Sequence, residues 1–181
     1  AKKTLSDCIA RCNAEGGLHM QLVADEPNAF GGGMAKYGNF VGVSNYIAMI
    51  CKKGDAATLG YYGEQVVLLA QTLGLNGCWV GLPFRKQPAS YVVLPDEELV
   101  CVVAVGYGKT QGVPHPQKKG IEAYMSDLRV SEKGQPLPEW FRQGMEAALL
   151  APTAVNQQKF EFVLLDGGQV QAKTRFSMFA T

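Results

Sequence analysis

The chain has 181 residues, 47% hydrophobic and 18% charged, with a formal net charge of +1. That length suits one domain with a full core, and the composition belongs to a globular protein and not a disordered one. The balanced charge gives no broad electrostatic grip on nucleic acid or anionic lipid. No apolar run approaches a membrane span, and AKKTLSDC is no signal peptide.

The absent initiator methionine leads us to expect a fragment or a trimmed chain. Thr4 to Ala14 reads as a helix, with Thr4 as N-cap and Leu5, Cys8, Ile9 and Cys12 on one face. LHMQLVADE then alternates as a strand, with Leu18, Met20 and Leu22 on one side and His19 on the other, where we give it no role. NAFGGGMAKYGNF is irregular, since three successive glycines hold no regular element, and it lacks the Gly-Lys-Ser/Thr ending of a phosphate loop. YIAMIC is a short buried strand. From Ala56 to Leu73 runs the strongest helix, with Leu59, Tyr62, Val66, Leu69, Ala70 and Leu73 at helical spacing and Gly74 as its stop. Val67 and Leu68 add apolar surface off that stripe, which predicts burial on more than one side. GCWVGLPF follows, and then LVCVVAVGYG, an apolar run that belongs in mid-sheet.

Residues 108 to 136 form a long polar connection, a functional loop or a surface excursion. Pro138 can open a helix whose apolar face is Leu137, Trp140, Phe141, Met145, Ala148 and Leu149. A strand from about Lys159 to Leu165, a DGG turn and a strand QVQAKTRF complete an α+β architecture, helices over a mixed or antiparallel sheet. The five cysteines, at 8, 12, 51, 78 and 101, include no C-x-x-C pair. Cys8 and Cys12 can share a helix face, but no histidine lies nearby. We read all five as reduced, buried thiols of a cytoplasmic protein, with no metal site.

Three segments carry candidate chemistry. LLAPTAVNQQKFEFVLL, residues 149 to 165, places Thr153, Asn156, Gln157 and Gln158 at the corner between helix and strand. Amide and hydroxyl side chains do not titrate near neutral pH, so they suit the edge of a flat heterocycle better than acid–base work. They also suit plain capping of helix carbonyls and strand ends, the commoner use of such corners. In GCWVG, the glycine after the strand allows a ligand close to the backbone at Val80–Gly81, with Trp79 beside it. In GYGKTQGVPHPQKKG, Lys118, Lys119 and His115 can meet an anion, though basic loop residues are usually just solvated.

Taken together these segments resemble the nitroreductase family. EAALLAPTAVNQQKF is similar to its flavin-binding motif, a helix followed by A-P-S-x-x-N-x-Q-P-W. Pro152, Thr153, Ala154, Asn156, Gln158 and Phe160 fall at or beside matching positions, and Lys159 replaces the motif's proline. LAQTLGLNGCWVG resembles the segment A-x-x-L-G-L-x-x-x-x-x-G, and VAVGYGKTQGVPHPQKK resembles a G-Y-P/G stretch with a basic ending. The P-S-x-x-N-x-Q motif comes early in ordinary nitroreductases and last here. That order resembles the branch in which half-units are duplicated within one chain, and helix, break and strand do recur at 4 to 24 and 138 to 165.

The resemblance implies a nitroreductase-like α+β fold around a central buried helix. It implies a single domain over 1–181, cut short at both ends, with pseudo-repeat halves of about 1–110 and 111–181. It implies an FMN-dependent oxidoreductase in which hydride passes from NADH or NADPH to flavin and on to a nitroaromatic, quinone or similar acceptor by a ping-pong mechanism. The flavin carries the chemistry, so no side chain is a nucleophile. Thr153, Asn156 and Gln158 would read the ring edge, beside Pro152 and Ala154. Val80 and Gly81 would approach the ring with Trp79 packed near, and Lys118 or Lys119 would meet the phosphate. A monomer imitating the family dimer is expected, a homodimer being the alternative. The family's opening R-x-S-x-R segment is missing, and Lys2 and Lys3 replace it poorly. That leaves a non-catalytic flavin-binding protein, a sensor or carrier, as the alternative function, and a structural domain with a capping corner as a third.

Overall fold

A computed structural model describes residues 1–30, 40–81, 84–110, 112 and 119–175, with the backbone alone at Val155. The chain divides into two compact units, Ala1–Gly112 and Val113–Thr181.

The first unit opens with helix α1, Lys2–Gly16, which buries Leu5, Ile9 and Cys12 along one stripe. Its outer side carries i,i+4 pairs, Lys3–Asp7 at 2.7 Å and Arg11–Glu15 at 3.1 Å, each worth only about 0.3–0.5 kcal/mol on an exposed helix. The N-cap is Ala1 and not the expected Thr4, because Lys2 and Lys3 are themselves good helix formers and extend the first turn. Strand β1 is Gln21–Val23, shorter than LHMQLVADE suggested. Asp25 takes a left-handed φ of 59°, which turns the chain out of the sheet. The His19 N–H still donates to the Ile50 carbonyl at 3.0 Å, and Leu18 and Met20 are buried on the face opposite His19, as the alternation predicts.

β2 (Tyr46–Lys52), β3 (Asn76–Val80) and β4 (Glu97–Gly106) complete an antiparallel sheet of order β1-β2-β4-β3. β2 is apolar and buried from Tyr46 to Cys51 because both faces of the sheet are covered there. Ile47, Met49 and Cys51 enter a core with α1 and the helix α2 (Ala56–Thr72), whereas Tyr46, Ala48 and Ile50 enter a second core with Phe30 and Val80. Full burial of a side chain such as Ile47 stabilises the fold by about 1.5–3 kcal/mol. The apolar run of β4 lies between β2 and β3, as read from sequence. Its register slips between Met49 and Ile50, leaving Val100 as the extra residue of a bulge.

α2, Ala56–Thr72, buries Leu59, Gly63, Val66 and Ala70. Gly74 follows with φ 77°, the left-handed stop that a glycine supplies without a Cβ penalty. The expected burial on several sides is corrected here, since Leu68 is 59% exposed and Tyr61 68%.

In the second unit, strand β6 (Phe160–Leu164) pairs in parallel with β5 (Met125–Asp127) and antiparallel with β7 (Val170–Thr174). The long polar connection therefore contains a strand, which three residues without alternation could not announce. Helix α3, Glu139–Leu149, starts behind Pro138 as expected and buries Phe141, Met145 and Leu149 against Tyr124 and Leu164. Trp140, expected on that face, is half exposed. Arg129, 5% exposed, organises the stretch between β5 and α3. Its guanidinium donates to Asp127 (2.9 and 2.8 Å), to Glu132, and to the Gln135 and Pro136 carbonyls at 3.3 Å. A buried guanidinium is tolerable because its donors are matched in this way. The whole is an α+β protein with one antiparallel and one mixed sheet among the described residues.

Candidate functional site

The corner between α3 and β6 is built around Gln158, which is 2% exposed. Its Nε2 donates to the Leu149 carbonyl at 3.1 Å, satisfying one of the loose acceptors at the end of α3. Its Oε1 accepts from the Tyr124 hydroxyl at 3.0 Å, and the Tyr124 ring lies 5.5 Å from that of Phe160. The Gln158 N–H donates to Thr153 Oγ1 at 3.0 Å, so the threonine hydroxyl closes the turn from the other side. Between them, Ala154–Asn156 form one tight helical turn, with the Asn156 N–H donating to the Thr153 carbonyl at 2.9 Å. Pro152 and Ala154 are exposed, whereas Thr153 and Asn156 are half-buried.

Two non-glycine residues of this corner hold left-handed backbone, Asn156 at φ 52° and Gln158 at φ 49°. Each costs on the order of 1–3 kcal/mol and persists only where surrounding bonds over-determine it. The Gln158 anchors supply that constraint. Backbone outliers concentrated at one corner are a feature of functional sites more than of plain turns.

β3 places Trp79, Val80 and Gly81 in the first unit. The Trp79 indole N–H donates to Glu64 Oε2 at 3.1 Å, and its ring fills a slot over Gly63, where a Cβ would stand 2.9 Å from the ring and 2.3 Å from Met49 Cε. Burial pushes the Glu64 carboxyl up, and the indole N–H pulls it partly back. Val80 is buried in the core of the other sheet face. Gly81 is exposed, and a Cβ there would meet nothing within 4 Å, so the space beside this backbone step is open. Lys119 is exposed in the second unit; Lys118 and His115 lie outside the described residues.

Sequence reasoning missed three polar contributors. Tyr124 and Glu64 stand far in sequence from the side chains they hold, and only folding pairs them. Asn76 donates to the Thr110 carbonyl at 2.7 Å, tying the start of β3 to the exit of β4 beside a cleft of about 400 Å³. Tyr107 and Lys109 of the GYGK stretch line that cleft. Among the described residues no group of three or more His, Cys, Asp or Glu side chains is placed to hold a metal. The cysteines are free, Cys8 and Cys12 with sulfurs 4.0 Å apart; burial pushes the Cys12 and Cys51 thiols up and Cys101 up to about 11. No described helix is long and apolar enough to cross a membrane.

Helices against an antiparallel sheet in the first unit, and a helix against a mixed sheet in the second, make this an α+β protein. The family described as "Putative TM nitroreductase" matches residues 1–181, and the chain belongs to it. Among solved structures, the crystal structure of a "putative nitroreductase" from Thermotoga maritima is similar at a TM-score of 0.58 and 19% identity. That likeness covers 87% of this chain and 58% of the other, so the chain spans little more than half the length of the relative. At this identity the likeness concerns the fold. No curated protein matches the chain.

Proposed function

We propose that the chain is an FMN-dependent oxidoreductase that takes hydride from NADH or NADPH and passes it to a nitroaromatic, quinone or similar small acceptor, the two substrates alternating. The observation that carries this reading is the paired left-handed backbone at Asn156 and Gln158, inside the segment that matches the family's flavin motif. When bound, the flavin supplies the two-electron chemistry.

The chain's own residues fit such a group in distinct roles. Gln158 has both ends of its amide committed to Tyr124 and Leu149, so it braces the corner from behind. Thr153 and Asn156, with the exposed Pro152 and Ala154, would meet the polar ring edge. In the first unit the open side of Val80–Gly81 is a candidate backbone contact, held by the seating of Trp79 on Glu64. Lys118 and Lys119 are the candidate phosphate partners. The helix–break–strand order of α1–β1 and of α3–β6 supports a duplicated half-unit and a monomer, and the free cysteines support a cytoplasmic location.

A second reading, flavin binding without turnover, draws on the N-terminus. Lys3 is already paired with Asp7 at 2.7 Å, which makes it a poor partner for a phosphate. Purified protein titrated with FMN separates the readings. Flavin bands that bleach on adding NADH and recover with a quinone support the enzyme, whereas bands that NADH leaves unchanged support the binder. Failure to take up FMN would sink both.

A further inference from the structure

We propose that His19, Gln21 and Glu97 form an acid-sensitive latch, which pins the 91–94 strap to β1 while His19 is neutral and releases it when the ring gains a proton. This goes beyond the flavin reading and does not depend on it.

Gln21 Oε1 accepts from the Val92 N–H at 3.0 Å, and Gln21 Nε2 donates to the Val92 carbonyl at 2.7 Å. Turning the amide over would lose both bonds, so the backbone of Val92 fixes its orientation. Gln21 Nε2 also stands 3.1 Å from His19 Nε2. An amide nitrogen only donates, so this ring nitrogen must accept. The other ring nitrogen, Nδ1, is 2.8 Å from Glu97 Oε2 and must donate. Both nitrogens are thereby assigned, and the ring is the neutral Nδ1–H tautomer.

A proton on Nε2 turns the acceptor into a donor that faces another donor. The amide hydrogen has one weaker alternative, the His19 carbonyl at 3.5 Å, but taking it leaves the ring N–H pointed at the amide nitrogen. An amide that turns over to accept from the ring surrenders both bonds to Val92. The strap is otherwise anchored at its ends, by Tyr91 packed against the second core and by the Glu97 N–H donating to the Leu94 carbonyl at 3.0 Å, so the latch governs Val92 between them. Ser90 Oγ donates to Glu26 at 2.9 Å on one side, and the Leu94 N–H donates to Glu97 at 2.9 Å on the other. Val92, Val93 and Leu94 are 58%, 40% and 48% exposed, so little apolar burial opposes release.

Glu97 of β4 faces the His19 ring directly and is 9% exposed at its side chain, whereas the ring is 34% exposed and reaches water. Burial pushes the Glu97 carboxyl up, but the His19 bond, the Leu94 N–H and the charge of Lys52 bring it net below the usual carboxylate range, so it stays charged. From β2 the charged neighbour is Lys52, across the sheet from Glu97. From the turn before β4 come Asp96 and Lys53, joined through the backbone, with Lys53 Nζ donating to the Pro95 carbonyl at 3.2 Å. α1 packs with Leu18 and Met20 on the opposite face of the sheet.

The test is amide exchange of the labelled full chain between about pH 8 and 5, the span in which imidazoles titrate, with His19 followed by its own ring resonance. Protection of the Val92 amide, corrected for the intrinsic exchange rate, should fall about fivefold or more in step with the His19 titration, the loss expected for a net hydrogen bond. Protection at Val66 in α2 should not follow it. Val92 protection that stays constant while His19 titrates overturns the proposal. So does the same pH-dependent loss in a folded His19→Gln variant, where protection should be flat. Gln21→Leu should remove the protection at every pH.

Discussion

Gln158 does two jobs at once: it ends α3 by binding the Leu149 carbonyl, and it holds its own strained backbone by binding Tyr124. Gln158→Leu would fill the space while orphaning a buried carbonyl and a buried hydroxyl, at about 1–3 kcal/mol for each orphan. Urea unfolding should show the loss, and Tyr124→Phe should recover part of it by removing one orphan. Arg129 makes a similar claim for the neighbouring loop. Its hydrogen bonds to Asp127 hold that carboxyl below the usual range. A depressed carboxylate adds stability above its unfolded pKa, and that stability is lost as pH falls through the depressed value. The second unit should therefore resist mild acid and give way only below the ordinary carboxylate range. An Asp127→Asn variant followed by circular dichroism should lose this dependence and be less stable at pH 7. The corner's polar composition was legible in LLAPTAVNQQKF, including the possibility of capping. That Gln158 points inward while Thr153 and Asn156 remain half-buried was not, since it depends on Tyr124, 34 residues earlier.

Among the elements, α2 and β3 are coupled through the slot over Gly63. A methyl group there would collide with the ring of Trp79, which Glu64 keeps from turning aside, and with the more yielding end of Met49. Gly63→Ala should cost about 1–3 kcal/mol by overpacking, although alanine is the better helix former. A thermal melt several degrees below the parent would show it; an unchanged or raised Tm would mean that the slot relaxes. Long elements with a strong pattern were legible: α2, α3, and β2 and β4, whose unbroken apolar runs announced a sheet covered on both faces. β5 was hidden because three residues carry no period, and its parallel pairing with β6 arises from tertiary contacts alone. The exposure of Leu68 and Tyr61 was hidden too, since an apolar residue in a helix does not reveal whether anything covers it.

At the scale of the whole molecule, family membership spans the full 181 residues, although the solved relative is much longer. The candidate residues of each unit, at the α3–β6 corner in the second and at the end of β3 in the first, were signalled in the sequence by motifs and not by periodicity. The two units also differ in how they bury apolar surface. The first has a core on each face of its sheet, and the second has one small core under α3. Separate cores in the two units make all-or-none melting a hypothesis to be measured, not an assumption. The chain carries a natural reporter for each, since one of its two tryptophans, Trp79, lies in the first unit and the other, Trp140, in the second. Trp140→Phe leaves fluorescence that follows the larger interior, and Trp79→Phe leaves fluorescence that follows the smaller. If the two denaturant midpoints separate, with the second unit lower, the chain is a pair of cooperative blocks, and its marginal one contains the strained corner.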